Sequence, residues 1–159
     1  MNKPRALKFG DTLGLVAPAS FTSEEKIEKS IETIKKMGFK VKIGESVYKR
    51  YGYLSGKDEI RARDINEMFR DQEVDGIICL RGGYGTPRIL DLLDYNIIKN
   101  NPKVFIGYSD ITALHIVFNQ ICGLVSFHGP MVSSDMIGNF QEFSKDSLFK
   151  ATMKNEVVG

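Results

Sequence analysis

A serine between an apolar segment and an amphipathic one is the first residue whose type and spacing could do chemistry. Residues 103–107 (KVFIG) predict a buried strand, and residues 111–120 predict a helix. Ser109 therefore lies at a sharp strand-to-helix turn, an arrangement that lifts a nucleophilic hydroxyl clear of a sheet. The alternative is structural, because Ser109 could cap the helix that starts near Asp110. From the turn alone, the cap is the favoured interpretation.

A glycine-rich segment favours the interpretation of Ser109 as a nucleophile. Arg81-Gly82-Gly83-Tyr84-Gly85 follows another predicted strand, residues 74–80. Its glycines can turn backbone N–H groups outward, as anion-binding nests do. Beside Ser109, one such N–H and that of Asp110 could form an oxyanion hole. A phosphate- or nucleotide-binding loop stays open as an alternative, although neither Gly-x-Gly-x-x-Gly nor the P-loop pattern fits. A plain structural turn is a third possibility.

A serine nucleophile needs a general base, and the sequence has 2 histidines. His115 lies on the same predicted helix as Ser109, on a different face and about 9 Å along the axis, so it cannot reach the hydroxyl. His128 ends a predicted strand, residues 124–127, and can border the pocket. A structural role for His128 at the Gly129-Pro130 turn is at least as well supported. The residues thus give a candidate nucleophile without a convincing base.

The elements that position these residues alternate between strands and helices. Strand patterns cover residues 12–17, 39–43, 74–80, 103–107 and 124–127. Helical spacing covers residues 27–37, 60–69 and 111–120, with a capping box at Thr22 and Glu25, a stop at Gly38 and a further helix start at Thr86-Pro87. Residues 44–56 predict a long surface loop. This order predicts an α/β fold, a parallel sheet with helices on both faces, whose ligands bind beyond the carboxyl ends of the strands.

Composition narrows the class of protein. The 159 residues suit one domain, and 42% apolar with 26% charged residues is typical of a globular chain. A net charge of +2 does not predict a strongly basic surface of the kind that binds nucleic acid or an anionic membrane. No apolar stretch of signal-peptide or membrane-span length occurs, so we expect a cytoplasmic protein. Cys79 and Cys122 have neither disulfide nor zinc-site spacing, and we expect no metal and no cofactor.

Five segments in order resemble the LD-carboxypeptidase family of serine peptidases. They are residues 9–20 (FGDTLGLVAPAS), 53–56 (YLSG), 81–85 (RGGYG), 107–113 (GYSDITA) and 127–131 (FHGPM). The resemblance runs from about residue 7 to about residue 135. It implies a flavodoxin-like amino-terminal domain, spanning residues 1–159 here, which a second, mostly β domain would follow.

The resemblance also implies roles for the residues at the strand ends. Ser109 would be the nucleophile, with oxyanion donors from Gly82, Gly83 and Asp110. The Glu and His of the family's Ser-Glu-His triad come from the second domain, so we expect these 159 residues alone to be inactive. The family is often dimeric, and a homodimer is possible.

The family has two branches that act on different substrates, and the resemblance alone allows either. One removes the terminal D-alanine from murein tetrapeptide during wall recycling, and the other hydrolyses microcin-C-type peptide–nucleotides. The form of residues 81–85 resembles the murein branch, which implies substrate contacts from Arg81, Tyr84 and His128. We hypothesise that Arg81 pairs with a substrate carboxylate; the alternative is a salt bridge to a local Asp or Glu. From another class, a non-catalytic flavodoxin-like module that binds phosphate or a nucleotide stays open.

Overall fold

The computed structural model describes residues 1–154, which contain a five-stranded sheet in the order β2-β1-β3-β4-β5. The strands are β1 (Thr12–Val16), β2 (Lys40–Ile43), β3 (Gly76–Cys79), β4 (Val104–Gly107) and β5 (Phe127–His128). Every neighbouring pair runs parallel, so all five carboxyl ends lie along one edge of the sheet. The predicted parallel α/β fold is confirmed, in the strand order of flavodoxin-like proteins.

Helices connect the strands across both faces of the sheet. They are α1 (Glu24–Lys36), α2 (Asp58–Arg70), α3 (Tyr95–Asn100), α4 (Thr112–Cys122) and α5 (Glu142–Phe149). Short 3₁₀ segments, Glu45–Tyr48, Thr86–Leu92 and Ser109–Ile111, follow β2, β3 and β4, and two π-helical turns, Val132–Met136 and Lys150–Lys154, flank α5. In residues 1–154 no helix combines the length and apolar character needed to cross a membrane.

Two hydrophobic layers hold the helices to the sheet. On one face, Ile77 and Phe105 pack against buried residues of α2, α3 and α4, among them Phe69 and Phe118. On the other face, β-strand residues such as Leu15 pack against α1 and α5. Nearly every residue of the central strands β1, β3 and β4 is buried, as a parallel sheet covered by helices on both faces requires.

Helix α1 begins at a different cap from the predicted one. Ser23, not Thr22, has the extended backbone of an N-cap, and its hydroxyl accepts from the Lys26 N–H at 3.4 Å. With Ser23 as the cap, the third helical position is Lys26 rather than Glu25, so the predicted capping box does not form. The predicted stop is confirmed, because Gly38 has a φ of +95°.

Segment 44–56 is more ordered than the predicted surface loop. Glu45–Tyr48 forms a 3₁₀ turn whose first amides, of Glu45 and Ser46, donate to the Asp64 carboxylate at 3.0 and 2.7 Å. The buried Ser55 hydroxyl donates to the Ser46 carbonyl at 2.6 Å. The glycines and tyrosines suggested a solvated loop, but the Asp64 carboxylate and the Ser55 hydroxyl satisfy part of its backbone.

Two further boundaries differ from prediction. Thr86 does not cap a helix: Gly85 holds the cap position of the 3₁₀ segment, and Thr86 bonds to Asp110 instead. Strand β5 is shorter than residues 124–127 suggested, because Val125 pairs with the N-terminal segment and donates to Asn2 at 3.0 Å. Cys79 and Cys122 are both buried and free, and burial raises the pKa of each thiol.

Candidate active site

Ser109 stands at a strained turn on the carboxyl edge of the sheet. Its φ is +61°, and it is the only non-glycine residue with positive φ within residues 1–154. The side chain is exposed, and its hydroxyl makes no capping hydrogen bond to the described residues. Gly107 permits the turn, because a Cβ there would lie 2.8 Å from the Ile111 side chain. This is the geometry of a presented nucleophile rather than of a helix cap.

The glycine loop lies directly against that turn. A Cβ on Gly82 would lie 3.2 Å from the Ser109 Cβ, so the two backbones are neighbours. Gly83 and Gly85 have φ of +119° and +127°, values open to glycine but strained for other residues. The sheet order thus brings together the segments that follow β3 and β4, as their positions at adjacent strand ends require.

Ser20, from the segment after β1, fixes the orientation of the glycine loop. Its N–H donates to the Gly82 carbonyl at 3.3 Å, and its hydroxyl accepts from the Tyr84 N–H at 3.2 Å. No peptide bond in the described chain is cis, and in a trans peptide the N–H points opposite to the carbonyl. The Gly83 N–H therefore points away from Ser20, and it has no acceptor within residues 1–154.

Asp110 is attached to the far end of the same loop. Its carboxylate accepts from the Thr86 N–H at 2.9 Å, and its carbonyl accepts from the Thr86 hydroxyl. The Asp110 N–H lies in the first turn of the helix that begins at Ser109, where backbone N–H groups lack intrahelical partners. The amides of Gly82, Gly83 and Asp110 therefore stay the candidate oxyanion donors, since neither glycine amide has an acceptor among residues 1–154.

Neither histidine is hydrogen-bonded to Ser109. His115 lies 2.8 Å from the Gly107 carbonyl through Nε2, which must therefore donate, and 2.7 Å from the Ser126 hydroxyl through Nδ1. Burial lowers the pKa of His115, which favours the neutral ring, and its two hydrogen bonds connect Gly107 to Ser126. His128 is exposed, with its ring centroid 6.1 Å from that of Tyr108.

His128 and Tyr108 border an open cleft of about 520 Å³ beside the turn. The Tyr108 hydroxyl donates to Asp135 at 3.1 Å, and burial, with Asp135 nearby, raises the pKa of the phenol. No group of three or more His, Cys, Asp or Glu within residues 1–154 is arranged to hold a metal ion. The cleft carries hydrogen-bonding groups and reaches the turn through Tyr108, but Ser109 is not one of its lining residues.

Arg81 and Tyr84 lie at the outer side of the glycine loop. Arg81 donates to the Phe21 carbonyl at 3.2 Å, and within the described chain it forms no ion pair with a carboxylate. The alternative interpretation of Arg81, a salt bridge to a local Asp or Glu, is therefore not formed among residues 1–154. Tyr84 is 50% exposed and contacts the Tyr53 ring edge-on, with centroids 5.6 Å apart.

Two residues near the site were not singled out from the sequence as site residues. Ser20 had a signal, because it ends the segment after β1, but its contact with the loop depends on tertiary structure. Arg61 is fully buried under the glycine loop. The sequence signal for its burial was helical spacing: Arg61 is charged, yet it falls on the same face of α2 as the apolar Ile65 and Met68.

Comparisons with known proteins agree with this arrangement. Residues 13–129 match the family described as LD-carboxypeptidase N-terminal domain. A Bacillus subtilis (strain 168) protein named probable murein peptide carboxypeptidase is 46% identical over 134 residues, which cover 84% of this chain and 42% of that protein. The Escherichia coli microcin C7 self-immunity protein MccF is 36% identical over 127 residues, covering 78% of this chain and 37% of that protein.

A solved structure gives the same result in three dimensions. The MccF-like protein from Bacillus anthracis superimposes with a TM-score of 0.89 at 32% identity, over 96% of this chain and 47% of that one. The chain spans about half the length of the relatives it matches. With the family match covering most of its residues, the chain belongs to the LD-carboxypeptidase family, through that family's N-terminal domain.

Proposed function

We propose that this chain is the nucleophile-bearing half of a serine carboxypeptidase that removes the terminal D-alanine from murein tetrapeptide in the cytoplasm. The observation that carries the proposal is the exposed Ser109 at positive φ, with Gly82 packed against it. An exposed hydroxyl close to backbone N–H groups that have no acceptor within residues 1–154 suits acyl transfer.

In the proposed reaction the Ser109 Oγ attacks the carbonyl carbon of the L,D-peptide bond. A base accepts the hydroxyl proton, and the N–H groups of Asp110 and of the glycine loop, from Gly82 or Gly83, stabilise the tetrahedral oxyanion. Collapse breaks the C–N bond and passes the proton to the D-alanine amine, after which water hydrolyses the acyl-enzyme. Each oxyanion donor is expected to contribute about 3 kcal/mol to transition-state stability.

The base and its orienting carboxylate are the missing parts. His115 is occupied by Gly107 and Ser126, and no described histidine bonds to Ser109. We propose that a Glu and a His come from a second, mostly β domain, corresponding to the half of the relatives that this chain does not span. On this proposal residues 1–159 alone retain the nucleophile and oxyanion donors but do not turn over.

Murein tetrapeptide is favoured as the substrate by the relatives named for murein peptides and by Arg81, whose guanidinium is free of local carboxylates in residues 1–154. The half-buried Arg81 guanidinium, at the start of the glycine loop, can pair with the terminal carboxylate of a short peptide. The similarity to MccF structures, one of them in complex with glutamyl sulfamoyl guanosine, favours a peptide–nucleotide hydrolase as the second candidate.

The test compares this chain with a protein in which the same residues are joined to the second half. D-alanine release from murein tetrapeptide is measured for both, next to labelling by a fluorophosphonate serine probe. We expect release and labelling only in the two-domain protein, and a loss on the order of 10⁴-fold or more in Ser109→Ala.

Other results would overturn parts of the proposal. Turnover by residues 1–159 alone would refute the missing base, and full activity in Ser109→Ala would refute the nucleophile. Hydrolysis of a peptidyl sulfamoyl nucleotide in place of the tetrapeptide would select the second candidate. Tight phosphate or flavin binding without hydrolysis would favour a non-catalytic module.

A further inference from the structure

Arg61 is a fully buried arginine that the proposed chemistry does not yet use. It lies in the first turn of α2 with no exposed surface. Arginine is almost never fully buried unless it is paired, and its guanidinium has five donors to satisfy. Its partners therefore show what the burial accomplishes.

The guanidinium joins the segments that follow three different strands. Nε donates to the Gly56 carbonyl at 3.2 Å, and Nη1 donates to the carbonyls of Pro18 and Gly85 at 2.5 and 3.0 Å. Pro18 follows β1, Gly56 ends the segment after β2, and Gly85 ends the glycine loop after β3. One side chain thus fixes the relative positions of all three.

The charge of Arg61 is compensated on its solvent side. Nη2 pairs with Asp58, which Arg88 also holds through Nε and Nη2 at 3.1 and 2.8 Å. Burial lowers the pKa of Arg61, and the nearby Asp58 opposes that shift. A paired and hydrogen-bonded charge can stay buried, whereas an unpaired one is costly.

The contact with Gly85 connects Arg61 to the turn that carries Ser109 and Asp110. The carbonyl of the Gly85–Thr86 peptide accepts from Arg61, and the N–H of the same peptide donates to the Asp110 carboxylate at 2.9 Å. One peptide group is therefore held from both sides. A Cβ on Gly85 would lie 2.9 Å from Nη1, so the close approach itself requires glycine.

We propose that Arg61 is a positioning residue that holds the Gly85–Thr86 peptide, and through it the glycine loop, in register with Asp110 and Ser109. The role rests on the proposed function, because the register matters only if the loop supplies an oxyanion donor. Lysine cannot replace it, since a single ammonium cannot reach carbonyls that lie on different sides of a planar guanidinium.

The first test uses residues 1–159 and needs no activity. Amide hydrogen exchange is measured in Arg61→Lys and Arg61→Met, with Arg63→Lys, an exposed arginine two positions along α2, as the matched control. We expect exchange at the Tyr84 and Thr86 amides to accelerate at least about tenfold, the factor for one lost hydrogen bond. The Leu80 amide, which donates to Val16 in the sheet, should keep its protection.

Three results would overturn the proposal. Unchanged exchange at Tyr84 and Thr86 would show that Arg61 does not hold the loop. Equal acceleration at Leu80 would show general destabilisation, and so would loss of folding in both variants. Acceleration in Arg63→Lys would remove the specificity of the effect.

The second test uses the two-domain protein. In Arg61→Lys we expect kcat for D-alanine release to fall by about 10- to 100-fold while KM changes little, because a displaced oxyanion donor acts in the transition state. An unchanged kcat would refute the catalytic consequence. If the unsubstituted two-domain protein is itself inactive, the proposed function fails, while the exchange result still decides whether Arg61 holds the loop.

Discussion

The φ of +61° at Ser109 places an ordinary L-residue in the left-handed region, where its Cβ crowds the following carbonyl. Such strain costs about 1–2 kcal/mol and persists where surrounding structure enforces it, often at functional sites. Here Gly107 and the helix that starts at Ser109 enforce it. The strain makes the turn testable in residues 1–159 without any assay of activity.

Ser109→Gly should leave the free energy of unfolding unchanged or raise it by up to about 1 kcal/mol. Glycine adopts positive φ without the Cβ penalty, which offsets its greater entropy in the unfolded chain. Within residues 1–154 the exposed hydroxyl makes no capping hydrogen bond, so its removal should not lower the free energy of unfolding. Urea denaturation of both chains measures the difference, with Ser109→Ala as the comparison that keeps the Cβ. A loss above about 1 kcal/mol in Ser109→Gly would contradict the strained turn.

Arg81→Ala in the two-domain protein should raise KM for the tetrapeptide by about 10- to 100-fold, because a charge-assisted bond to the substrate carboxylate contributes about 1.5–3 kcal/mol. Stability should change by less than about 0.5 kcal/mol, since within the described residues the Arg81 side chain makes one hydrogen bond, to Phe21. Steady-state kinetics with Arg70→Ala as the control tests this. An unaltered KM and kcat would end the carboxylate assignment.

Helix α2 is fixed at both ends by buried cations. Arg61 holds its start against the strand-end loops, and Lys103, at the start of β4, donates to the Met68 and Asp71 carbonyls at its end. Lysine near the last carbonyls of a helix suits its macrodipole. Burial nevertheless lowers the pKa of Lys103 to about 8, from 10.5 for the free side chain.

The lowered pKa of Lys103 predicts a pH dependence of stability. Below pH 8 both the folded and the unfolded protein carry the proton, and the buried charge weakens the fold in full. Between about 8 and 10.5 the folded protein releases the proton first, so the free energy of unfolding should rise by at most about 1.4 kcal/mol for each pH unit. Denaturation of the native chain and of Lys103→Met from about pH 7 to about pH 11 isolates the effect as a difference. Parallel curves for the two proteins would refute it.

The core beneath the site is built around three phenylalanines on one face of the sheet. Phe118 packs edge-on against Phe105 and Phe69, with ring centroids 5.0 and 5.5 Å apart. All three are fully buried. Since Phe118 belongs to α4 and Phe105 to β4, this cluster fixes the elements on both sides of Ser109.

Phe118→Ala should therefore destabilise the whole chain by about 3–5 kcal/mol, through lost burial and the cavity left behind. That is a large part of the stability of an ordinary domain, which is about 5–15 kcal/mol. Thermal unfolding measures the loss, with Phe143→Ala, at a side chain 74% exposed, as the control. A comparable loss in both variants would contradict the importance of the cluster.

Local sequence patterns by themselves determined much of the fold of this protein. Alternating strand and helix segments predicted a parallel sheet, since right-handed crossovers allow little else. The sequence placed Ser109 at a strand-to-helix turn and Arg81–Gly85 at a strand end, because turns are encoded by neighbouring residues. The N-cap of α1 was predicted wrongly, at Thr22 instead of Ser23, because either of two adjacent hydroxyl residues can take that position.

Tertiary structure alone decided how these segments meet. The strand order β2-β1-β3-β4-β5 sets β3 beside β4 and therefore Gly82 against Ser109. It also buries Arg61 among carbonyls from three segments and leaves Arg81 without a local carboxylate in residues 1–154. These contacts join residues far apart along the chain, so no local period or turn residue specifies them. They arise only when the sheet brings its strand ends together.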